Sequence, residues 1–253
     1  MGEQLKNKVV IVTGAGSGIG LAAAQHFAAE GAKVVAAGRT LASVEQVAHE
    51  VGAAGGTCIP CRVDVATGAD CEAMVALAVA EFGRLDGAFN NAGVDGPLVP
   101  AADYPEDAFD AVIAANLKGV WNCMRFQIPA MLAGGGGAIV NNASSLAELG
   151  QYNMVAYCGA KAGVLGLTRG AALDYGARGI RVNALSPGVI ETPMMTSQMA
   201  AFDGLREMLL ARHPIGRLGA PIELAKAAAW MLSDEASFML GANMSVDGGY
   251  SAI

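Results

Sequence analysis

The chain is 253 residues long, 53% hydrophobic and only 15% charged, with 34 glycines and a net charge of −7. Low charge with abundant small and branched apolar residues excludes a disordered chain, and the acidic balance argues against nucleic acid or an anionic membrane as partner. A chain of this length fits one large α/β domain that folds without disulfides or metal.

Met1–Lys6 contains no apolar signal core. The five cysteines have no framework spacing, which points to a reducing cytoplasm. The uncharged stretch 126–147 is long enough to span a bilayer, but Pro129, the glycines 134–137 and the Asn141-Asn142 pair make it a poor membrane helix.

In chain order, Val9–Thr13 is a short apolar run stopped by glycines, and Ile19–Glu30 reads as an Ala-rich helix ending at Gly31. A strand (Lys33–Ala37), a helix (Leu41–Val51), a strand (Thr57–Val63), a helix (Ala69–Phe82) and a strand (Leu85–Asn90) come next. The spacing then predicts one long helix, Pro105–Leu132, before the strand Ala138–Asn142, the helix Ala156–Arg178 and the strand Arg181–Ser186. A loop and helix around Met194–His213, a helix Pro221–Ser233 and a last strand near Asn243–Val246 complete the chain. Apolar strands joined by helices mean a parallel sheet covered on both faces: a single doubly wound, Rossmann-like domain over 1–253. Cys58-Ile59-Pro60-Cys61 imitates a redox pair but lies in a strand rather than opening a helix, so it reads as structural.

Two constellations carry chemistry. Thr13-Gly14-Ala15-Gly16-Ser17-Gly18-Ile19-Gly20 links the first strand to the first helix, where backbone N–H groups and the helix dipole can meet a pyrophosphate. Its spacing is Gly-x-x-x-Gly-x-Gly, not Gly-x-Gly-x-x-Gly, and it lacks the Gly-Lys-Ser/Thr ending of a triphosphate loop. Tyr157 and Lys161 lie four apart on one helix face, where a cation favours the phenolate and so suits proton transfer. Ser144, thirteen residues upstream at a strand end, offers a hydroxyl to a carbonyl oxygen.

Thr13-Gly14-x-x-x-Gly18-Ile19-Gly20, Asn90-Asn91-Ala92-Gly93, Asn116, Ser144, Tyr157-x-x-x-Lys161 and Pro187-Gly188-x-x-x-Thr192, in this order, resemble the signature of the short-chain dehydrogenase/reductase family. The resemblance extends to Ser245–Gly249 at the end of the chain.

The resemblance implies a role for each of these residues. Tyr157 exchanges a proton with the substrate oxygen, Ser144 positions that oxygen, and Lys161 lowers the pKa of Tyr157 and binds the nicotinamide ribose. Asn116 holds a water that links Lys161 to solvent. Gly14, Ser17, Gly18, Ile19 and Gly20 cradle the pyrophosphate. Asp64 contacts the adenine amino group with Val65 beside it, and Asn91, Ala92 and Gly93 brace the cofactor side of the sheet. Pro187, Gly188, Val189 and Ile190, with Thr192, hold the carboxamide and fix the face from which hydride leaves. Ala147 stands where the family often has glycine.

The implied activity is hydride transfer between a nicotinamide cofactor and a secondary alcohol or ketone. The second strand ends with Gly38 where NAD-preferring members place an acid, and Arg39 comes directly after it, so NADP(H) is favoured and NAD(H) possible. A mobile lid is expected at about 192–216. Met194 and Met195 on the lid, with Leu146, Gln151, Tyr152 and Met154 on the facing wall, suggest a medium-sized apolar or cyclic small-molecule substrate.

Two alternatives share these motifs: a 3-oxoacyl-[acyl-carrier-protein] reductase and a catalytically silent dinucleotide-binding regulator. The first needs a basic docking face; the chain is acidic overall, though Arg169, Arg178 and Arg181 could form a local patch. His26, His49 and His213 lie apart from one another, without metal-ligand spacing, and read as solvent-facing, so no metal is expected. The resemblance also implies a homotetramer, with the helices after Pro105 and Ala156 at one interface and Ile253 near another.

Overall fold

The computed structural model describes residues 3–252, without the side chains of Met194 and Ala201. Ile253, expected near an interface, therefore lies outside the described residues. Seven strands form one parallel sheet: β1 (Val9–Thr13), β2 (Lys33–Gly38), β3 (Thr57–Arg62), β4 (Gly87–Asn90), β5 (Gly137–Asn142), β6 (Ile180–Pro187) and β7 (Asn243–Val246). Their spatial order is β3-β2-β1-β4-β5-β6-β7. The chain winds outward from β1 to one edge, returns to β4, and winds outward to the other. The crevice at the C-terminal ends of β1 and β4 is thus the switch point where such sheets bind ligands.

Burial on both faces explains the near-continuous apolar strands; all five residues of β1 are buried. On one face α1 (Gly18–Ala29) packs against α9 (Pro221–Leu232), burying Phe27 and Leu224 with Val10 and Leu185 from the sheet. On the other, α3 (Gly68–Phe82), α5 (Gly119–Ala133) and α6 (Val155–Tyr175) cover Ile11, Ile139 and Ile180. The helix α2 (Leu41–Ala53), after β2, joins the first face through Val44, Val47 and Val51. Pro60 is tolerated because β3 lies at the sheet edge, and burial pushes the Cys58 thiol up to about 11, opposite to a redox motif.

The long helix expected over Pro105–Leu132 is broken. It forms α4 (Glu106–Ile113), one π-helical turn over Ala114–Lys118, and α5. A π turn inserts one residue into the helical ladder and re-aims the side chains beyond it. It places Asn116 fully buried with its amide on the Val94 backbone, accepting from Val94 N–H at 2.8 Å and donating to Val94 C=O at 2.7 Å. The segment after β6 forms two short helices, α7 (Pro193–Ala201) and α8 (Leu205–Ala211), separated at Gly204, whose φ of +76° suits glycine. Among the described residues, no helix is long and apolar enough to cross a membrane.

Candidate active site

The site begins where β1 meets α1. Gly14 (φ +68°) and Gly18 (φ +54°) turn the chain, and α1 then packs directly onto the turn. At Gly20 a Cβ would lie 2.1 Å from the Gly14 carbonyl oxygen, and at Gly14 it would meet Ala92 Cα and Asn91 Nδ2 at 3.0 Å. The loop can therefore be built only from glycine at these points. Ser17 is the N-cap of α1, yet its hydroxyl makes no cap bond, and the first turn of α1 carries no acid. Together these features fit a dinucleotide pyrophosphate held by backbone N–H groups. The substitution Gly20→Ala is expected to abolish cofactor binding in a fluorescence titration and to lower the melting temperature.

The neighbouring strand ends lock this loop in place. Thr13 Oγ1 accepts from the N–H groups of Asn91 (3.0 Å) and Ala92 (3.1 Å), and Asn91 Nδ2 donates to the Thr13 carbonyl at 3.0 Å. Asn91 Oδ1 in turn accepts from Asn142 Nδ2. Asp64 accepts from Ala66 N–H at 3.0 Å, and Asn122 holds the Val65 carbonyl at 2.8 Å, which fixes the end of β3. Across the cleft a Cβ on Gly18 would lie 3.1 Å from Thr192 Cγ2, so the Pro187–Thr192 segment faces the glycine loop at contact distance.

Ser144, Tyr157 and Lys161 converge beyond that point. Ser144 caps a single 3₁₀ turn, its Oγ accepting from Leu146 N–H at 3.1 Å, which leaves its proton free to donate. Burial, and then the Asp95 carboxylate, push the pKa of the Tyr157 phenol above its ordinary value, while the nearby Ser144 hydroxyl pulls it the other way. Lys161 is buried, with Nζ 5.6 Å from the Tyr157 ring centre and donating to the Asn142 carbonyl at 2.7 Å. Burial brings its pKa down to about 8, against the opposing pull of Asp95.

A cleft of about 990 Å³ unites these parts. Apart from three, every candidate site residue from the sequence lines it, including Arg39, Asp64 and Val65 at one end and Leu146, Gln151, Tyr152, Met154 and Met195 at the other. Gly20 and Asn116 lie behind the wall as supports, and the Met194 side chain lies outside the described residues.

Sequence reasoning missed three features. Asp95 and Gln198 line the cleft, joined by a 2.9 Å hydrogen bond. His213, expected in solvent, is 3% exposed: Nδ1 faces the Leu209 carbonyl at 2.7 Å and Nε2 accepts from Val189 N–H at 3.2 Å, tying α8 to the Pro187–Thr192 segment. Arg181, expected to be available for a basic patch, turns inward and donates to the Met231 and Ser233 carbonyls.

Residues 14–251 match a family model described as "Enoyl-(Acyl carrier protein) reductase". The chain is similar to cyclohexanol dehydrogenase of Acinetobacter sp. (strain SE19), 42% identical over all of this chain and 98% of the relative. It is 45% identical to 2,5-dichloro-2,5-cyclohexadiene-1,4-diol dehydrogenase of Sphingobium indicum (strain UT26S), with 99% and 100% of the two chains covered. The crystal structure of levodione reductase superposes with a TM-score of 0.94 at 37% identity, covering 98% of this chain and 99% of the other. The sheet order, the glycine loop and these matches agree: the chain belongs to the short-chain dehydrogenase/reductase family of oxidoreductases.

Proposed function

We propose that this oxidoreductase interconverts medium-sized cyclic secondary alcohols and their ketones, with NADP(H) favoured over NAD(H). The observation that carries the reading is the placement of Ser144, Tyr157 and Lys161 in one largely apolar cleft with the glycine loop. Relatives that act on cyclohexanol and on a cyclohexadiene diol support a ring substrate. Exposed Leu98 and Phe202, with half-buried Met195, give such a ring an apolar bed.

When bound, the nicotinamide cofactor supplies or accepts the hydride. Ser144 Oγ, its lone pair held by Leu146 N–H, donates to the substrate oxygen and sets its position. Tyr157 gives that oxygen a proton in reduction and takes it back in oxidation. Lys161, anchored on Asn142, places positive charge beside the phenolate as it forms and binds the nicotinamide ribose. The Asn116 side chain is spent on Val94, so a water linked to Lys161 would meet its backbone carbonyl in the π turn. Thr192 and the Val189–Ile190 backbone orient the carboxamide, and residues 192–216 act as the lid, with His213 fastening its far end to Val189.

The assembly we assign is a cytoplasmic homotetramer. Exposed Phe109 on α4 and Trp121 on α5, Leu173 on α6, and Phe238 with Leu240 near β7 supply apolar surface where packing between copies would cover it.

A panel of cyclic and linear ketones, sugars and acetoacetyl carrier protein, assayed with NADPH and NADH, tests the reading. Cyclic ketones with NADPH should give the highest kcat/KM. A preference for sugars would remove the ring-substrate assignment, and far higher activity with the carrier-protein substrate would favour the acyl-carrier reading, which the family model's description keeps in view and the inward Arg181 weakens.

A further inference from the structure

The neglected group in the cleft is Asp95. Its position is fixed from both sides. The preceding Val94 is clamped by Asn116 at both its N–H and its C=O. Gly93, before that, lies so close to the machinery that a Cβ there would be 3.0 Å from Asn116 Oδ1 and 3.7 Å from Lys161 Nζ. Gly96, after it, turns at φ +75° against Tyr104 and Val112, where no side chain fits. Asp95 is therefore a placed carboxylate, half-buried on the cleft wall, rather than part of a loose loop.

One carboxylate oxygen accepts from Gln198 Nε2 of α7 at 2.9 Å. Among the described residues the other oxygen has no hydrogen bond, and the carboxylate has no ion pair. Lys161, the cation within its field, donates to the Asn142 carbonyl and makes no ion pair with the carboxylate. Burial raises the Asp95 pKa, the sign of a carboxylate short of partners. Asp95 and Tyr157 line the same cleft, and the carboxylate's charge acts on the phenol. A carboxylate so placed accepts protons in hydrogen bonds and repels anions.

Resting on the ring-alcohol reading above, we infer that Asp95 receives a second hydroxyl of the substrate ring while the reacting oxygen lies at Ser144 and Tyr157. Cyclic diols and hydroxyketones are then preferred over plain cyclic alcohols, and carboxylated rings are disfavoured. Gln198 presents the carboxylate and ties the lid helix to it, so α7 closes over the end of the ring that carries the second hydroxyl.

The test compares oxidation of cyclohexane-1,4-diol, cyclohexanol and 4-hydroxycyclohexanecarboxylate by the wild-type protein and by Asp95→Ala, Asp95→Asn and Gln198→Leu. A hydrogen bond to a charged group corresponds to roughly ten- to hundredfold in affinity. The diol-to-cyclohexanol ratio of kcat/KM is expected to fall by about that factor in Asp95→Ala, mainly through the KM for the diol, and less in Asp95→Asn, which still accepts a hydrogen bond. Relative activity on the carboxylate should rise in both Asp95 variants. An unchanged ratio in both, with cyclohexanol still turned over by the wild type, overturns the inference and leaves the ring-alcohol reading standing. Gln198→Leu, which loosens the carboxylate without removing it, should lower the ratio clearly less than Asp95→Ala. A fall as large as that of Asp95→Ala, with cyclohexanol turnover falling alongside, assigns the effect to lid closure and overturns the inference as well. Failure of the wild type on every ring alcohol and ketone removes both readings.

Discussion

Replacing Tyr157 with Phe is expected to reduce ketone reduction by about 10²–10⁴-fold, the usual worth of a positioned general acid. NADPH binding, monitored by fluorescence, should change only a few-fold. The change deletes one oxygen from a half-buried ring, and the glycine loop that holds the dinucleotide is built from other elements. The remaining Ser144 hydroxyl still polarises the carbonyl but has no proton relay behind it. The pH profile adds a second readout. As Tyr157 gives up its proton in reduction, negative charge grows beside Lys161, and that ammonium exists below a pKa of about 8 and is lost above it. Reduction should therefore hold from mildly acidic pH up to about 8 and decline beyond, and Lys161→Met should start low and lose the decline. Carbonyl reduction by Tyr157→Phe within tenfold of wild type, a loss of roughly 1.4 kcal/mol or less, would end the proton-transfer assignment.

The parts of the fold set by local rules were legible from the sequence. The strand Asn243–Val246 was marked by its polar/apolar alternation. The strand Val9–Thr13 has the same bounds in sequence and structure, because a short apolar run between Lys8 and a glycine has little choice. The glycine loop was legible for the same reason: positive φ at Gly14 and Gly18 and the close approach at Gly20 leave no alternative residue. Tyr157 and Lys161 emerged from helical spacing, which puts both on one face of α6. The π turn at Ala114–Lys118 was hidden, because one inserted residue barely disturbs a 3.6-residue pattern in a chain this apolar. His213 was misread since its burial depends on Val189 and Tyr250, which only tertiary packing brings to it. Asp95 carries no motif and meets Gln198 across 103 residues, so nothing local marks it. Arg181 likewise finds its carbonyl partners some fifty residues away.

The choice of cofactor is expected to turn on Gly38 and Arg39. Gly38 is the last residue of β2, and a Cβ there would lie 3.1 Å from Val44 Cγ1 and 4.0 Å from Gly16 N, so a side chain at 38 reaches the edge of the glycine loop. An acid in that place would accept from a ribose 2′-hydroxyl and repel a 2′-phosphate; glycine does neither. Arg39 is exposed, lines the cleft with Ser17, Thr40 and Ser43, and has no ion pair among the described residues. Its planar guanidinium is therefore free to meet a phosphate with two parallel hydrogen bonds. A charged hydrogen bond is worth about 1.5–3 kcal/mol, so the wild-type protein should prefer NADP over NAD by roughly ten- to hundredfold in kcat/KM. Arg39→Leu alone should erase most of that preference by weakening NADP, without improving NAD. Adding Gly38→Asp should reverse it, at some cost in stability, since buried Val44 must yield a few tenths of an ångström to the new side chain. The decisive measurement is the NADP/NAD ratio of kcat/KM across the three proteins. Equal or better turnover with NAD in the wild type would return Arg39 to the role of a solvated turn residue and leave Gly38 as a packing choice against Val44.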